Sequence, residues 1–168
     1  MILFGILLAS CAPATAPTDS GDTSAPPDDA CFLAEPSALI GTGETSFEEL
    51  SEGDTVYMQH GSQGGEHILG SIRLWNTDGI AIVHYTIARK DDGSVLSDQT
   101  FRVAMIAEAD CVDVYTGMYG YLGFTSETTF GLQNTAVILR MDATDSAGRS
   151  ASDEVGVLIG MIDLDGSG

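Results

Sequence analysis

The least generic segment of the chain is GSQGGEH, residues 61–67, which combines glycines with side chains that can bind a ligand. Adjacent glycines let a backbone turn sharply, and amide, carboxylate and imidazole groups supply hydrogen-bond donors and acceptors. One interpretation is a structural loop. The other is a small ligand or partner site built from Gln63, Glu66 and His67. A phosphate loop is not indicated, because no Lys-Ser/Thr pair follows the glycines.

Histidines and a methionine near this segment raise the hypothesis of a soft metal site. Imidazole and thioether groups suit copper, and the chain has His60, His67 and His84, with Met58 close to the first of them. The spacing matches no established metal motif. Histidines that hydrogen-bond on separate strands are the alternative.

Three carboxylates around the last predicted turn form a candidate calcium site. Calcium needs several oxygens at close range, and Asp142, Asp145 and Asp153 supply them in one stretch. Solvated turn residues are the alternative. We find no nucleophile elbow, HExxH or Cys-X-X-Cys motif, so the sequence favours a protein that is not an enzyme.

The net charge of the chain limits the classes of partner that it can bind. The chain has 25 Asp and Glu against 6 Lys and Arg, a formal net charge of −19. Such a surface repels phosphate backbones. We therefore expect no nucleic-acid partner.

An apolar run, MILFGILLAS, occupies residues 1–10 and is followed by Cys11. It is too short to span a bilayer and has the length of the apolar part of an export signal. The residues LASC at 8–11 resemble the lipobox of bacterial lipoproteins. That resemblance implies a signal peptide at 1–10 and acylation of Cys11. Because Ala12 rather than Asp follows the cysteine, it implies anchoring in the outer membrane or at the cell surface.

Residues 11–30 lack the apolar side chains that a folded segment buries. They are rich in Pro, Thr, Ser, Ala and Asp, a composition that cannot offset the entropy of ordering. We therefore expect a disordered tether there, a single domain at 31–162, and a flexible tail at 163–168.

Within the domain, turn signals separate runs of β-branched and aromatic residues. The clearest strand is 80–89, which returns through an Asp-Gly turn as 95–106. A second hairpin joins 135–144 to 151–162, and further strands are expected at 55–59, 66–75 and 111–124. Seven to nine strands of this kind predict an all-β Greek-key sandwich.

The ending MDATDSAGRSASDEVGVLI resembles the last hairpin of extracellular immunoglobulin-like domains of the PKD and cadherin-like kind. Residues 61–67 are similar to a Gly-Pro-Gln-Gly-Gly-aromatic-His segment of uncharacterised lipoproteins from myxobacteria-like organisms, with Ser62 and Glu66 as departures. The first of these resemblances implies an immunoglobulin-like fold. Neither implies an activity.

The cysteine count predicts one disulfide once the lipobox resemblance is accepted. Lipid takes Cys11, and export places Cys31 and Cys111 in an oxidising compartment, where such a pair usually closes. Two buried free thiols are the alternative.

Taken together, these features predict a noncatalytic, lipid-anchored module that binds an envelope protein or glycan or has a structural role. A calcium- or copper-binding envelope lipoprotein is the second hypothesis, and a hydrolase the third.

We predict that Cys11→Ser releases the protein from membranes, because acyl chains supply the anchor at about 0.8 kcal/mol per buried methylene. Membrane fractionation with a radiolabelled fatty acid measures both attachment and acylation. Label retained in membrane-bound Cys11→Ser protein would contradict the assignment.

Overall fold

The structure, a computed structural model, describes residues 29–61, 64–123 and 131–160. The predicted signal peptide, Cys11, residues 11–28 of the tether, Gln63 and the tail 163–168 lie outside the described residues. The described chain begins with the short helix α1, Asp29–Leu33, so its first two residues belong to a helix and not to the predicted tether. Within these ranges no helix has the length and apolar character needed to cross a bilayer.

Ten β-strands make up most of the described chain, which confirms the all-β prediction and exceeds the expected seven to nine strands. They are β1 Ser37–Thr42, β2 Glu48–Glu49, β3 Thr55–His60, β4 Glu66–Trp75, β5 Ile80–Arg89, β6 Val95–Ala104, β7 Ile106–Ala109, β8 Val112–Gly123, β9 Ala136–Asp145 and β10 Ser150–Gly160.

The strands form two layers that are joined through β3. One layer has the order β6-β5-β9-β10-β3, and the other has β7-β8-β4 with β1 and β2 beyond β4. The first half of β3 pairs in parallel with β10, and its second half pairs antiparallel with β4. Strand β3 therefore changes layers along its length.

This strand order is that of an immunoglobulin-like Greek-key sandwich. From β3 to β10, the strands follow the immunoglobulin series A, B, C, C′, D, E, F and G, with D, E, B and A in one layer and C′, C, F and G in the other. Strands β1 and β2 are additions before that series. The topology thus confirms the fold predicted from the sequence.

The core lies between the layers, and its centre is the fully buried ring of Tyr85 on β5. Gly70 on β4 and Gly120 on β8 leave the space that this ring occupies, since a Cβ on either would lie within 3 Å of it. Met141 on β9 closes the slot beside Gly70. Immunoglobulin domains carry a disulfide between the B and F strands and a Trp on the C strand. Here those strands carry a glycine, a methionine and a tyrosine.

The disulfide lies elsewhere, between Cys31 in α1 and Cys111 in the turn that joins β7 to β8. Their Cα atoms are 5.2 Å apart, and the bond closes a loop with a sequence separation of 80. A loop of that length stabilises the fold by roughly 4–5 kcal/mol on the chain-entropy model. The bond and the stacking of Arg149 over Phe32, at 4.3 Å, attach α1 to the end of the sandwich. The predicted pairing is confirmed.

We predict that Gly120→Ala lowers the free energy of unfolding by about 1–3 kcal/mol, since overpacking forces side chains off their rotamers. The new Cβ would lie 2.4 Å from Ile87 Cδ1 and 2.9 Å from Tyr85 Cε1. Gly131→Ala is the matched control, because its Cβ would meet nothing within 4 Å. Urea unfolding of both variants measures the difference. Equal unfolding midpoints would show that the slot is not tightly packed.

Candidate functional site

The glycine-rich segment forms the loop of the β3–β4 hairpin. The Gly61 amide donates to the Gly65 carbonyl at 2.9 Å, and the Gly64 amide donates to the Gly61 carbonyl at 2.9 Å. Gly64 and Gly65 have φ angles of 90° and 88°, which L side chains rarely adopt. Gly65 is constrained twice, because a Cβ there would lie 2.6 Å from the Tyr121 ring. The structural-loop interpretation is therefore correct for these glycines.

Of the three predicted ligand-binding residues, the structure describes Glu66 and His67, and these two make different contacts. Gln63 lies outside the described residues. Glu66 Oε1 lies 3.0 Å from His60 Nδ1, within hydrogen-bonding distance. His67 is the next residue on β4 and is buried, with its ring 4.8 Å from that of Tyr119 in an edge-on contact.

His67 lies in a cleft on the outer face of the β4–β8 layer, the face turned away from the core. The cleft has a volume of about 650 Å³. Its walls come from the β1–β2 loop, the β3–β4 hairpin and β8. The residues that line this outer-face cleft are Glu44, Gln59, His60, Gly61, Gly64, His67, Tyr119 and Tyr121.

Strand pairing explains why these residues meet. His67 is the register partner of Gln59 on β3 and of Tyr121 on β8, and cross-strand partners point to the same face. Tyr119 follows on that face, since side chains alternate along a strand. The register between β4 and β8 shifts next to His67. Such irregularities re-aim side chains and are frequent beside binding sites.

Glu44 reaches the cleft on a loop, residues 43–47, that crosses over β4. The Gly43 carbonyl accepts hydrogen bonds from Ser71 Oγ on β4, at 2.9 Å, and from the Gly117 amide on β8, at 3.1 Å. Thr116 Oγ1 donates to the Glu44 carbonyl at 3.1 Å. This crossing loop covers the middle of β4 and closes one wall of the cleft.

The crossing loop was not predicted, although β4 carries a signal for it. The sequence HILGSIRLW has apolar or small residues at almost every position. On the outer face, Leu69 and Ser71 are buried like the core residues between them. A strand that is buried on both faces must have other parts of the chain packed against each face. The sequence of β4 therefore indicated that some segment packs on its outer face, but not which one.

The electrostatics of the cleft favour a neutral imidazole and a negative rim. Burial lowers the pKa of His67, and the nearby carboxylates of Glu66 and Glu44 oppose that shift without reversing it. Among the described residues His67 makes no hydrogen bond, and its contact is the Tyr119 ring. No Lys or Arg is among the described lining residues.

The structure does not assemble the proposed copper set. Met58 points into the core opposite Ile68, whereas His67 is on the outer face of the same layer. His84 belongs to the other layer, where its Nε2 is 2.6 Å from Asp98 Oδ1. Only His60 and His67 share the cleft.

The three aspartates of the calcium hypothesis are also separate, and each has a protein partner. Asp142 holds Arg140 through two contacts of 2.7 and 2.9 Å on the exposed face of β9. Asp145 is buried and accepts from the Arg149 backbone and guanidinium. Asp153 accepts from the Ile40 amide at 2.8 Å, across the two layers. Across the described ranges, no three His, Cys, Asp or Glu residues group to hold a metal ion.

Comparisons with known proteins assign no family. No protein-family model matches the chain, and no curated protein matches it. Among solved structures, it is similar to the CooA pilin subunit from enterotoxigenic Escherichia coli, with 9% sequence identity and a TM-score of 0.35, over 74% of this chain and 99% of that chain.

We predict that valine at either loop glycine destabilises the fold, and more so at Gly65. A Cβ added at Gly64 would have no atom within 4 Å, so we expect Gly64→Val to cost about 1–3 kcal/mol, mainly from backbone strain. Gly65→Val adds the clash with Tyr121. Thermal unfolding against Gly131→Val, which has open space and no positive φ, measures both costs. Wild-type stability in both variants would contradict the positive-φ loop.

Proposed function

We propose that this protein is a noncatalytic, lipid-anchored binding module of the cell envelope and that the outer-face cleft is its ligand site. The observation that carries the proposal is His67, which is 8% exposed and makes no hydrogen bond to another described residue. The ring nitrogens of His67 are not among the fully buried atoms that lack a partner, so they reach the space of the cleft. A ligand in the cleft can therefore hydrogen-bond to this imidazole.

The makeup of the cleft also supports binding. Two tyrosine rings, two imidazoles, an amide side chain, a carboxylate and the glycine backbone of the β3–β4 loop face one concave space. Ligand sites typically combine ring surfaces with a few convergent polar groups. An envelope glycan or a segment of an envelope protein has matching chemistry.

The position of the disulfide supports presentation of this cleft away from a membrane. Cys111 lies beside the Trp75–Val112 pair, and His67 is eight positions from Trp75 on β4. That separation is about 26 Å at the rise of an extended strand. A tether that enters the domain at Cys31 would therefore be at the opposite end from the ligand site.

Metal binding remains the second hypothesis, and one observation favours it. His60 and His67 line the same cleft, and the Glu66 carboxylate lies within hydrogen-bonding distance of the His60 ring. A soft metal ion would need a further ligand from outside the described residues.

We expect Tyr119→Ala to weaken binding of the envelope ligand at least tenfold, because it removes a ring from the cleft wall. Tyr57→Ala is the matched control, since Tyr57 is 56% exposed and Tyr119 is 52% exposed, on different layers. Glycan fragments and soluble proteins from the envelope are titrated into labelled protein, and the amide signals of Gly61, Gly64 and Gly65 are followed by NMR. Equal responses of the two variants, or no shift at these glycines, would contradict the proposal.

A further inference from the structure

Among the described residues that line the outer-face cleft, none is Lys or Arg. The Glu44 carboxylate lines the cleft. A second carboxylate, that of Glu66, contacts His60, which forms part of one wall. The nearest arginine on β4, Arg73, is held by Glu108 at 2.6 and 2.8 Å and stacks over Phe47 at 4.2 Å. With a chain net charge of −19, the field both near and far from the cleft attracts cations.

The other groups of the cleft suit a nitrogen cation with hydrogens to donate. Tyrosine faces attract an ammonium group through their ring electrons, by about 0.5–2 kcal/mol depending on exposure. The Tyr119 and Tyr121 rings both line the cleft. A neutral imidazole has one nitrogen that accepts a hydrogen bond. His67 is buried in the cleft and makes no hydrogen bond to another described residue.

We propose that the ligand group recognised by the cleft is a primary ammonium, held between the Glu44 carboxylate, the Tyr119 ring and the His67 imidazole. This inference rests on the proposed binding function and specifies its ligand chemistry. A free polyamine, a lysine side chain and an amino sugar all present this group.

The test titrates full-length protein in detergent with three amines, 1,4-diaminobutane, Nα-acetyl-lysine amide and glucosamine. Each has a neutral partner in which every amine is acetylated, namely N,N′-diacetyl-1,4-diaminobutane, Nα,Nε-diacetyl-lysine amide and N-acetylglucosamine. We expect cleft signals at Gly64 and Gly65 to shift with at least one amine and not with its acetylated form. The ranking of the three amines distinguishes the sources of the group.

The charge dependence is tested with Glu44→Gln and the matched variant Glu49→Gln, which alters an exposed carboxylate of the same hairpin. We expect Glu44→Gln to weaken amine binding five- to tenfold and Glu49→Gln to leave it within twofold. Binding should also weaken as salt rises from 50 to 500 mM, because exposed charges are screened.

The outcomes separate this inference from the proposed function. If acetylated and free forms bind equally and Tyr119→Ala abolishes both, the cleft is a ligand site and the ammonium assignment is wrong. If no amine shifts a cleft signal at millimolar concentration, the assignment is overturned, and the envelope titration decides the function. Binding of Cu²⁺ or Zn²⁺, lost in His67→Ala while no amine binds, would overturn it in favour of a metal.

Discussion

The fit of the Tyr85 ring against Gly70 and Gly120 is the constraint on which the two-layer arrangement depends. A side chain on either glycine would push the β4–β8 layer away from β5. The phenol is fully buried, and its hydroxyl has no hydrogen-bond partner among the described residues. An unpaired buried hydroxyl costs about 1–3 kcal/mol. The area that the ring buries and the close approach of the layers offset that cost.

The same constraint reaches the outer-face cleft through strand alternation. Gly120 points into the core, so Tyr119 and Tyr121 on either side of it must point outward. On β4, His67 precedes the core residue Ile68 and is the register partner of Tyr121. Its side chain therefore points to the same outer face. The core slot and the cleft are therefore two faces of one pair of strands, and the register that fills the first also builds the second.

Local sequence patterns predicted long strands rich in apolar residues, whether they alternate like β5 or are buried on both faces like β4, and missed the exposed strands β2 and β7. The bounds of β4 and β5 agree with the expected 66–75 and 80–89. Strand β2 consists of two exposed glutamates, and β7 has four exposed residues. Neither has a buried face whose pattern could be recognised. Their pairing with β1 and β8 is what makes them strands.

The candidate sites were less predictable because the side chains of residues that are neighbours in sequence can point to different faces of a strand. Glu66 and His67 are neighbours on an extended strand, so their side chains leave in opposite directions. Asp142 and Asp145 differ in the same way along β9, one on the exposed face and one at the buried end. Glu44, Tyr119 and Tyr121 join His67 only through long-range pairing and the crossing loop. Chain position alone contains no signal for that.

The bond between Cys31 and Cys111 determines how tension would pass through the domain. A force applied before Cys31 crosses the disulfide directly to the start of β8, so the chain between Cys31 and Cys111, a sequence separation of 80, is not stretched. From there it acts along β8, whose hydrogen bonds to β4 are loaded side by side in shear over the length of the strand. On the proposed function, a ligand in the cleft would pull on the same strand near Tyr119, so the load between ligand and disulfide would pass along β8.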